Sequence, residues 1–155
     1  MKEEPRTGTL KHHDLAASDR ERVLVRVAKS LAAEGAVLFA YVFGSFVEDR
    51  AFGDVDVAVF LDPERCPDAG MLPLQLDLAC RLEAAAGLPI DAVLLNDAPL
   101  GLRMAALRGR VVHSRDEARR LAFVEATCLQ AMDMACLLRE SLRDLLGSRA
   151  PGRAQ

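Results

Sequence analysis

The chain has 155 residues, of which 51% are hydrophobic and 28% are charged, and its formal net charge is -3. This size and composition indicate one globular domain with its own core, and they exclude a disordered or low-complexity chain. A net acidic chain lacks the broad basic face of a duplex-binding protein, so we expect no direct contact with nucleic acid. Apolar runs stay shorter than the roughly 18 to 20 residues that span a bilayer, and the N-terminus lacks an apolar signal segment, so we expect no membrane contact and a cytoplasmic location.

Charged residues are unevenly distributed along the chain. Residues 44–68 contain seven acids and two bases, whereas residues 103–120 contain six arginines and two acids. An acidic segment can hold cations, and a basic segment can attract phosphate or an acidic partner. For the arginines, a solvated face is the simpler interpretation.

The four cysteines show neither CxxC spacing nor a zinc pattern with the three histidines. Cys80, Cys128 and Cys136 each lie in an apolar periodic stretch. This placement predicts that these thiols are reduced and fill space in the core.

The first predicted helix covers residues 18–34. Ser18 and Glu21 have the spacing of a capping box, and apolar residues then recur at helical spacing. Residues 1–17, which precede it, are expected to form a flexible leader. The continuous apolar run over residues 36–43 predicts a strand that is covered on both faces.

In the next predicted strand, residues 54–61, acids and valines alternate at the start. Further elements follow: a helix over 71–86, a strand over 90–95, a short helix over 102–108, a strand over 110–113 and a long helix over 116–146. Since the chain has no repeat or interdomain linker, we predict one domain over residues 18–148 and a flexible tail over 149–155. This order of elements indicates an α/β fold, a small mixed sheet flanked by helices.

The long C-terminal helix carries two sets of apolar side chains. One set has the spacing of a stripe that faces the core: Val124, Cys128, Ala131, Met132, Ala135, Leu138, Leu142 and Leu145. Phe123, Met134 and Leu137 lie off this stripe. One small domain cannot cover so much of a helix, so we expect at least one of these three to contribute to a protein interface.

The residues with the clearest chemistry lie around the first two strands. A strand places the side chains of Asp54 and Asp56 on one face, with Cα atoms roughly 6.6 Å apart, close enough to share hard cations such as Mg²⁺. Gly44 and Ser45 end the preceding strand and can offer backbone N–H groups and a hydroxyl to a phosphate. Asp91, on the third strand, is the candidate third carboxylate. Individually, each of these residues also fits an ordinary turn or a solvated strand face.

Together, these residues resemble the signature of the DNA polymerase β-like nucleotidyltransferases, and among them of the minimal nucleotidyltransferase (MNT) proteins that act as antitoxins to HEPN ribonuclease toxins. That signature is a Gly-Ser turn, a spacer, an Asp-x-Asp strand and a third acid on a later strand. The residues that match it are Gly44, Ser45, Asp54, Asp56 and Asp91. The stretch over residues 88–112 also resembles the family's third strand and the elements after it, and the whole resemblance covers about residues 37–146.

The chain also departs from the family pattern. Many members carry an Arg-Gly pair soon after Gly-Ser and a serine before the first aspartate, whereas this chain has residues 47–50 (Val-Glu-Asp-Arg) and Gly53 at those places. Arg50 is therefore the candidate replacement for the basic group that grips the substrate.

The resemblance implies an enzyme, a magnesium-dependent protein adenylyltransferase. It implies transfer of AMP from ATP to a hydroxyl of a cognate HEPN toxin, a tyrosine in this family, with two magnesium ions bridging the triphosphate and the carboxylates. In that reading, Asp54 and Asp56 bind the metals, and Asp91 binds one of them and helps to activate the acceptor oxygen. Gly44 and Ser45 hold the phosphates.

Two other functions remain open at the level of sequence. A binding-only antitoxin would neutralise its toxin by covering it, and the altered spacer after Gly-Ser favours this alternative. A small-molecule nucleotidyltransferase is the third possibility, although such enzymes usually add a second domain for the acceptor. The chain is expected to act as a homo-oligomer or as a hetero-oligomer with the toxin.

Overall fold

The computed structural model describes residues 13–65 and 70–147 of the chain. Within them, helices and strands follow one another in this order: α1 (Ala17–Ala33), β1 (Val37–Phe43), β2 (Val55–Leu61), α2 (Met71–Ala86), β3 (Ile90–Leu94), α3 (Leu100–Leu107), β4 (Arg110–Ser114) and α4 (Glu117–Gly147). Short 3₁₀ turns over Gly44–Phe46 and Pro63–Arg65 follow β1 and β2. The predicted α/β fold with a long C-terminal helix is confirmed.

The four described strands form one mixed sheet in the order β3-β2-β1-β4. β1 pairs with β2 and with β4 in antiparallel fashion, whereas β2 and β3 are parallel and are connected through α2. All seven residues of β1 are buried, as expected for a central strand with neighbours on both sides and helices on both faces.

The sheet separates two hydrophobic clusters. In the first, α1 and α2 pack on the face that carries Val55, Val57 and Val59 of β2. In the second, α3 and the start of α4 pack on the face that carries Ala58. Because side chains alternate along a strand, Asp56 faces the same side as Ala58, towards α3 and α4.

The first helix begins one residue earlier than predicted, and the capping-box prediction is wrong. Its N-cap is Ala16, which makes no side-chain capping hydrogen bond, and Ser18 lies inside the helix. Ahead of the helix, His13 exchanges backbone hydrogen bonds of 2.7 and 3.1 Å with Phe52. The other residues of the predicted leader, 1–12, and most of the predicted tail lie outside the described residues, so those boundaries stay predictions.

The prediction of a core stripe along the whole of α4 is wrong. Phe123 packs in the second hydrophobic cluster and Thr127 is buried, but from Cys128 to Leu146 every side chain is exposed except that of Ala131, which is half-buried. The sequence spacing is helical, yet no described element reaches the second half of this helix to cover it.

The cysteine prediction also fails for the residues that the structure describes. Cys80, Cys128 and Cys136 are free thiols, and all three are exposed. Cys80 lies on the outer side of α2, and the other two lie on the uncovered half of α4. The fourth cysteine, Cys66, lies outside the described residues.

By length and composition alone, α4 is long and apolar enough to cross a membrane. One such helix is weak evidence for a membrane span. The cytoplasmic location stays a prediction.

Candidate active site

The sequence-predicted site residues lie at one edge of the sheet, where β1 ends and where β2 and β3 begin. Gly44 directly follows β1 with a φ of 75° and starts the 3₁₀ turn. This left-handed conformation strains any residue with a Cβ, which explains why glycine occupies the position. Ser45 is half-buried in the same turn.

The structure brings the three predicted carboxylates together. Asp56 lies opposite Phe43 of β1 on one side and opposite Asp91 of β3 on the other. Asp54 stands two residues before Asp56, just ahead of β2, and both Asp54 and Asp91 are exposed. By strand alternation all three side chains face the α3 and α4 side of the sheet.

The three carboxylates also interact through their charges. Burial, together with the negative charges of Asp54 and Asp91, raises the pKa of Asp56 from 3.8 to about 6. Within the described residues, none of the three carboxylates has a hydrogen-bond or ion-pair partner. A half-buried carboxylate beside two others, without a positive partner, is an arrangement that a cation stabilises.

Gly44 also forms part of the wall around Asp56. A Cβ added to Gly44 would lie 2.3 Å from Oδ2 of Asp56, so only glycine allows this carboxylate its present position. The backbone of the turn and the carboxylate are therefore in direct contact. Phosphates held at the turn would lie next to the acids.

The donor set fits magnesium. Within the described residues, no three acidic, histidine or cysteine side chains already form a closed metal cluster. Mg²⁺ is usually held by one or two carboxylates together with water and substrate phosphates rather than by an all-protein cage. Asp54, Asp56 and Asp91 supply the hard oxygen ligands for this kind of open site.

Arg50, the predicted basic group for the substrate, is engaged in an ion pair. Its guanidinium pairs with the carboxylate of Glu48, and both side chains are more than half exposed. A second basic residue also lies beside the Gly44 turn. Arg108 lines a cleft of about 270 Å³ together with Gly44 and Gly109, and its guanidinium has no ion-pair partner among the described residues.

Most of the other arginines between positions 103 and 120 have structural roles. Arg115 donates to the backbone carbonyls of Gly35 (2.7 Å) and Ala32 (2.9 Å), so it caps the C-terminal end of α1. Arg110 forms a two-pronged pair with Glu21 at 2.7 and 2.8 Å. Arg108, in contrast, lines the cleft beside the Gly44 turn.

A buried arginine that sequence reasoning missed holds the loop after the Gly-Ser turn. The Arg20 guanidinium donates to the backbone carbonyls of Leu15 (3.0 Å), Phe46 and Arg50 (2.8 Å), and it stacks 5.1 Å from the ring centre of Phe52. Three carbonyls from two chain segments thus depend on one side chain. The sequence does contain an indication, because Arg20 lies on the buried stripe of α1 that otherwise consists of Val23, Leu24, Val27 and Leu31.

Gly109 is a second residue whose role is visible only in the structure. A Cβ at this position would lie 2.3 Å from the backbone oxygen of Val42 and under 3 Å from Cα and Cβ of Phe43. The turn between α3 and β4 therefore touches the last residues of β1, immediately before Gly44. Any larger residue would push on the strand that positions the site.

A larger cleft, of about 1000 Å³, lies between the start of α1 and the turn before β3. Its lining residues include Leu15, Val25 and Leu88 but none of the three acids.

A model of the polymerase beta nucleotidyltransferase family matches residues 26–118, more than half of the chain. The chain belongs to this family. The matched segment contains the Gly44 turn and the three carboxylates Asp54, Asp56 and Asp91. Among functionally curated proteins, none matches the chain significantly.

Solved structures with the same fold are toxin–antitoxin complexes. A chain from the tri-AMPylated Shewanella oneidensis HEPN toxin in complex with MNT antitoxin matches with a TM-score of 0.59 and 18% identity, over 82% of this chain and 98% of that one. A chain from a toxin–antitoxin structure with AMP-PNP matches with a TM-score of 0.60 and 18% identity, over 79% of this chain and 98% of that one. A chain from the MntA–HepT complex matches with a TM-score of 0.55 and 15% identity, over 84% of this chain and 99% of that one. At these identities, the likeness shows a shared fold.

Proposed function

We propose that the chain is an antitoxin that transfers AMP from ATP to a hydroxyl, by resemblance a tyrosine, of a cognate HEPN toxin. The observation that carries this proposal is the pairing of Asp56 with Asp91 beside Gly44, in a chain of the nucleotidyltransferase family. Structures of the same fold add support, since one holds an AMPylated HEPN toxin and another AMP-PNP.

In this proposal Asp54, Asp56 and Asp91 hold magnesium together with the triphosphate. When bound, magnesium supplies positive charge that stabilises the leaving pyrophosphate and lowers the pKa of the acceptor hydroxyl. The raised pKa of Asp56 supports the assignment, because a carboxylate destabilised by neighbouring negative charge gains most from a cation.

The reaction itself exchanges one phosphorus–oxygen bond for another. The acceptor oxygen attacks the α-phosphorus of ATP, the bond to the bridging oxygen breaks, and pyrophosphate leaves. The acceptor proton passes to the carboxylate of Asp91, whose exposure at the edge of the sheet allows a protein substrate to approach. Catalysis then depends mainly on positioning and charge, as in other phosphate transfers.

The phosphates are held at the turn after β1. Gly44 allows close approach of the backbone, and Ser45 contributes its hydroxyl. We propose Arg108, which lines the cleft beside Gly44, as the arginine that binds the phosphates, rather than Arg50, which pairs with Glu48. A guanidinium binds phosphate oxygens through paired N–H donors.

A second function is favoured by one observation. Because Arg50, the candidate basic group for the substrate, is engaged with Glu48, a binding-only antitoxin with weak or absent catalysis also fits the site. Such a protein would neutralise the toxin by complex formation alone. In either case we propose a cytoplasmic protein with its domain over residues 18–148.

Co-expression with the neighbouring gene product, followed by intact mass measurement of that partner, distinguishes the two functions. An added mass equal to one or more AMP units, absent when the chain carries Asp56→Asn, supports the enzyme. A stable complex with an unmodified partner supports the binding-only function. Absence of both a complex and a modification would contradict both functions.

A further inference from the structure

The second half of α4 extends beyond the domain. The helix has 31 residues and is therefore about 46 Å long, but its packing against the domain ends near Thr127. Beyond that point, large apolar side chains including Met132, Leu138 and Leu142 are more than half exposed. A soluble domain rarely exposes a continuous apolar surface of this length unless something binds there.

The apolar residues of this half form a regular seam. They recur at alternating spacings of three and four residues, which is the pattern of a two-helix coiled coil. The seam consists of Cys128, Ala131, Ala135, Leu138, Leu142 and Leu145. The residues with charged side chains lie outside it: Asp133, Arg139, Glu140, Arg143 and Asp144.

The sizes of the seam residues change along the helix. The first three (128, 131, 135) are small, and the last three (138, 142, 145) are leucines. A parallel pair of such helices would place small residues against small ones and leave voids in the half that contains residues 128–135. An antiparallel pair places Ala131 opposite Leu142 and Ala135 opposite Leu138, so every layer combines one small and one large side chain.

We propose that α4 binds α4 of a second copy of this chain as an antiparallel pair over residues 128–145. The seam is complementary to itself only in this direction. The register also fits the domain, because residue 145 of one helix reaches only residue 128 of the other, just where packing against the domain ends. In this direction the two domains sit at opposite ends of the pair.

The residues beside the seam are compatible with the same register. Met132 lies across from Arg139 of the second copy, so the aliphatic part of the arginine covers the thioether while the guanidinium stays in water. Met134, which is 46% exposed, flanks the seam on its other side. No like charges meet across the seam in this arrangement.

Two neighbouring leucines provide a matched test. Leu138 (58% exposed) lies in the seam, and Leu137 (59% exposed) lies outside it. In sedimentation equilibrium of the full chain, we expect Leu138→Glu to raise the dimer dissociation constant by at least about 100-fold, because each dimer loses two buried leucines. Leu137→Glu should leave the constant within about threefold. Equal effects of both variants, or a monomeric wild-type chain at about 50 μM, would overturn the proposal.

Disulfide trapping tests the direction of the pair. In a chain whose four cysteines are replaced by serine, Ala131→Cys combined with Leu142→Cys should form an intermolecular dimer on mild oxidation. Neither cysteine alone should form this dimer. In the antiparallel pair, a cysteine at one position lies about 16 Å along the helix axis from the same position in the second chain. Dimers of the single-cysteine chains would indicate a parallel pair and overturn the register.

Other occupants of the seam would give different results. Binding of the isolated wild-type chain to anionic phospholipid vesicles, lost in Leu138→Glu, would make the surface a membrane contact and overturn the proposal. Loss of the partner complex in Leu138→Glu, with a monomeric wild-type chain, would assign the seam to the toxin instead. Neither result depends on AMP transfer, so the inference and the proposed function can fail separately.

Discussion

The edge of the sheet that carries the three carboxylates differs from the second half of α4 in how its side chains are constrained. At this edge, Asp56 has a register partner on each side, Phe43 of β1 and Asp91 of β3, because β2 lies between these two strands. In α4, residues beyond Thr127 contact no other described element closely enough to be buried, apart from Ala131. The regular pattern of β2 thus predicted correctly which side chains share a face, whereas the regular pattern of α4 wrongly predicted a buried stripe.

The difference follows from what each pattern determines. Alternation along a strand fixes which side chains share a face, and the sheet then fixes what lies beside them. Helical spacing of apolar residues indicates only that something covers the stripe, and that cover can be the protein's own core or a second molecule. We therefore expect substitutions at the edge to change chemistry or folding of the isolated chain, and substitutions in α4 to act only through association.

The largest expected effect is on AMP transfer. Replacing Asp54 and Asp56 together with asparagine should reduce transfer at least about 10³-fold, because the magnesium ligands are lost, while the fold stays intact. The matched double variant Asp133→Asn with Asp144→Asn, in the exposed half of α4, should keep wild-type transfer. Initial rates with the partner protein, together with circular dichroism, test both. An active Asp54/Asp56 variant would mean that the site assignment is wrong, and an unfolded one would make these acids structural.

Asp91→Asn should separate chemistry from binding. We expect transfer to fall by at least about 10²-fold, the lower range for losing a positioned acid–base group, while the nucleotide and the partner still bind. Asp97→Asn, beyond the opposite end of β3, serves as the control. Incorporation of AMP and binding of the partner are measured in one preparation. Near-normal incorporation in Asp91→Asn would remove this residue from the site.

The next effect is on stability. Arg20→Ala leaves three backbone carbonyls without their donor and should lower the free energy of unfolding by about 2 to 4 kcal/mol. Arg143→Ala, in the exposed half of α4, should change it by less than about 0.5 kcal/mol. Urea titration of both variants gives the comparison. A loss below about 1 kcal/mol for Arg20→Ala would show that the loop does not depend on this side chain.

Substitutions at two glycines should have smaller effects on stability, with opposite signs. Gly109→Ala should destabilise the chain by about 1 to 3 kcal/mol, because the new methyl group collides with the backbone of β1. At Gly101, in α3, nothing lies within 4 Å of an added Cβ, so alanine should stabilise the helix by about 0.4 to 1 kcal/mol. Thermal melts of the two variants should move in opposite directions. If both move together, Gly109 does not touch the strand as described.

The smallest expected effect is the pH dependence contributed by Asp56. Its pKa in the folded chain, about 6, lies above the ordinary 3.8, so the folded state holds this proton more tightly. The contribution of protonated Asp56 to the free energy of unfolding is fully present below pH 3.8, and it is lost as the pH rises through 6. In EDTA, Asp56→Asn should therefore stabilise the chain more at pH 7 than at pH 4, by less than about 1 kcal/mol for a half-exposed group. An equal effect at both pH values would contradict the shift.

Much of the fold follows from sequence because its patterns are local. The apolar run of β1, the acid–valine alternation of β2 and the stripe of α1 each determine an element with little help from the rest of the chain. The alternation along β2 and the order of the strands were enough to predict that Asp54, Asp56 and Asp91 lie close together. For Arg20, the spacing indicates only a place on the buried stripe of α1, and its contacts with a distant loop are visible only in the structure. The contact of Gly109 with β1 could not be predicted from spacing, and spacing could not distinguish core from interface along α4.

Labelled ATP shows whether the chain transfers AMP through these carboxylates. The purified chain is incubated with Mg²⁺, the co-expressed partner and ATP labelled at either the α- or the γ-phosphate. We expect the partner to retain the α-label and not the γ-label, the label to be lost with EDTA, and Asp56→Asn to abolish labelling. Retention of the γ-label, or equal α-labelling by Asp56→Asn and wild type, would contradict an AMP transfer that depends on these carboxylates.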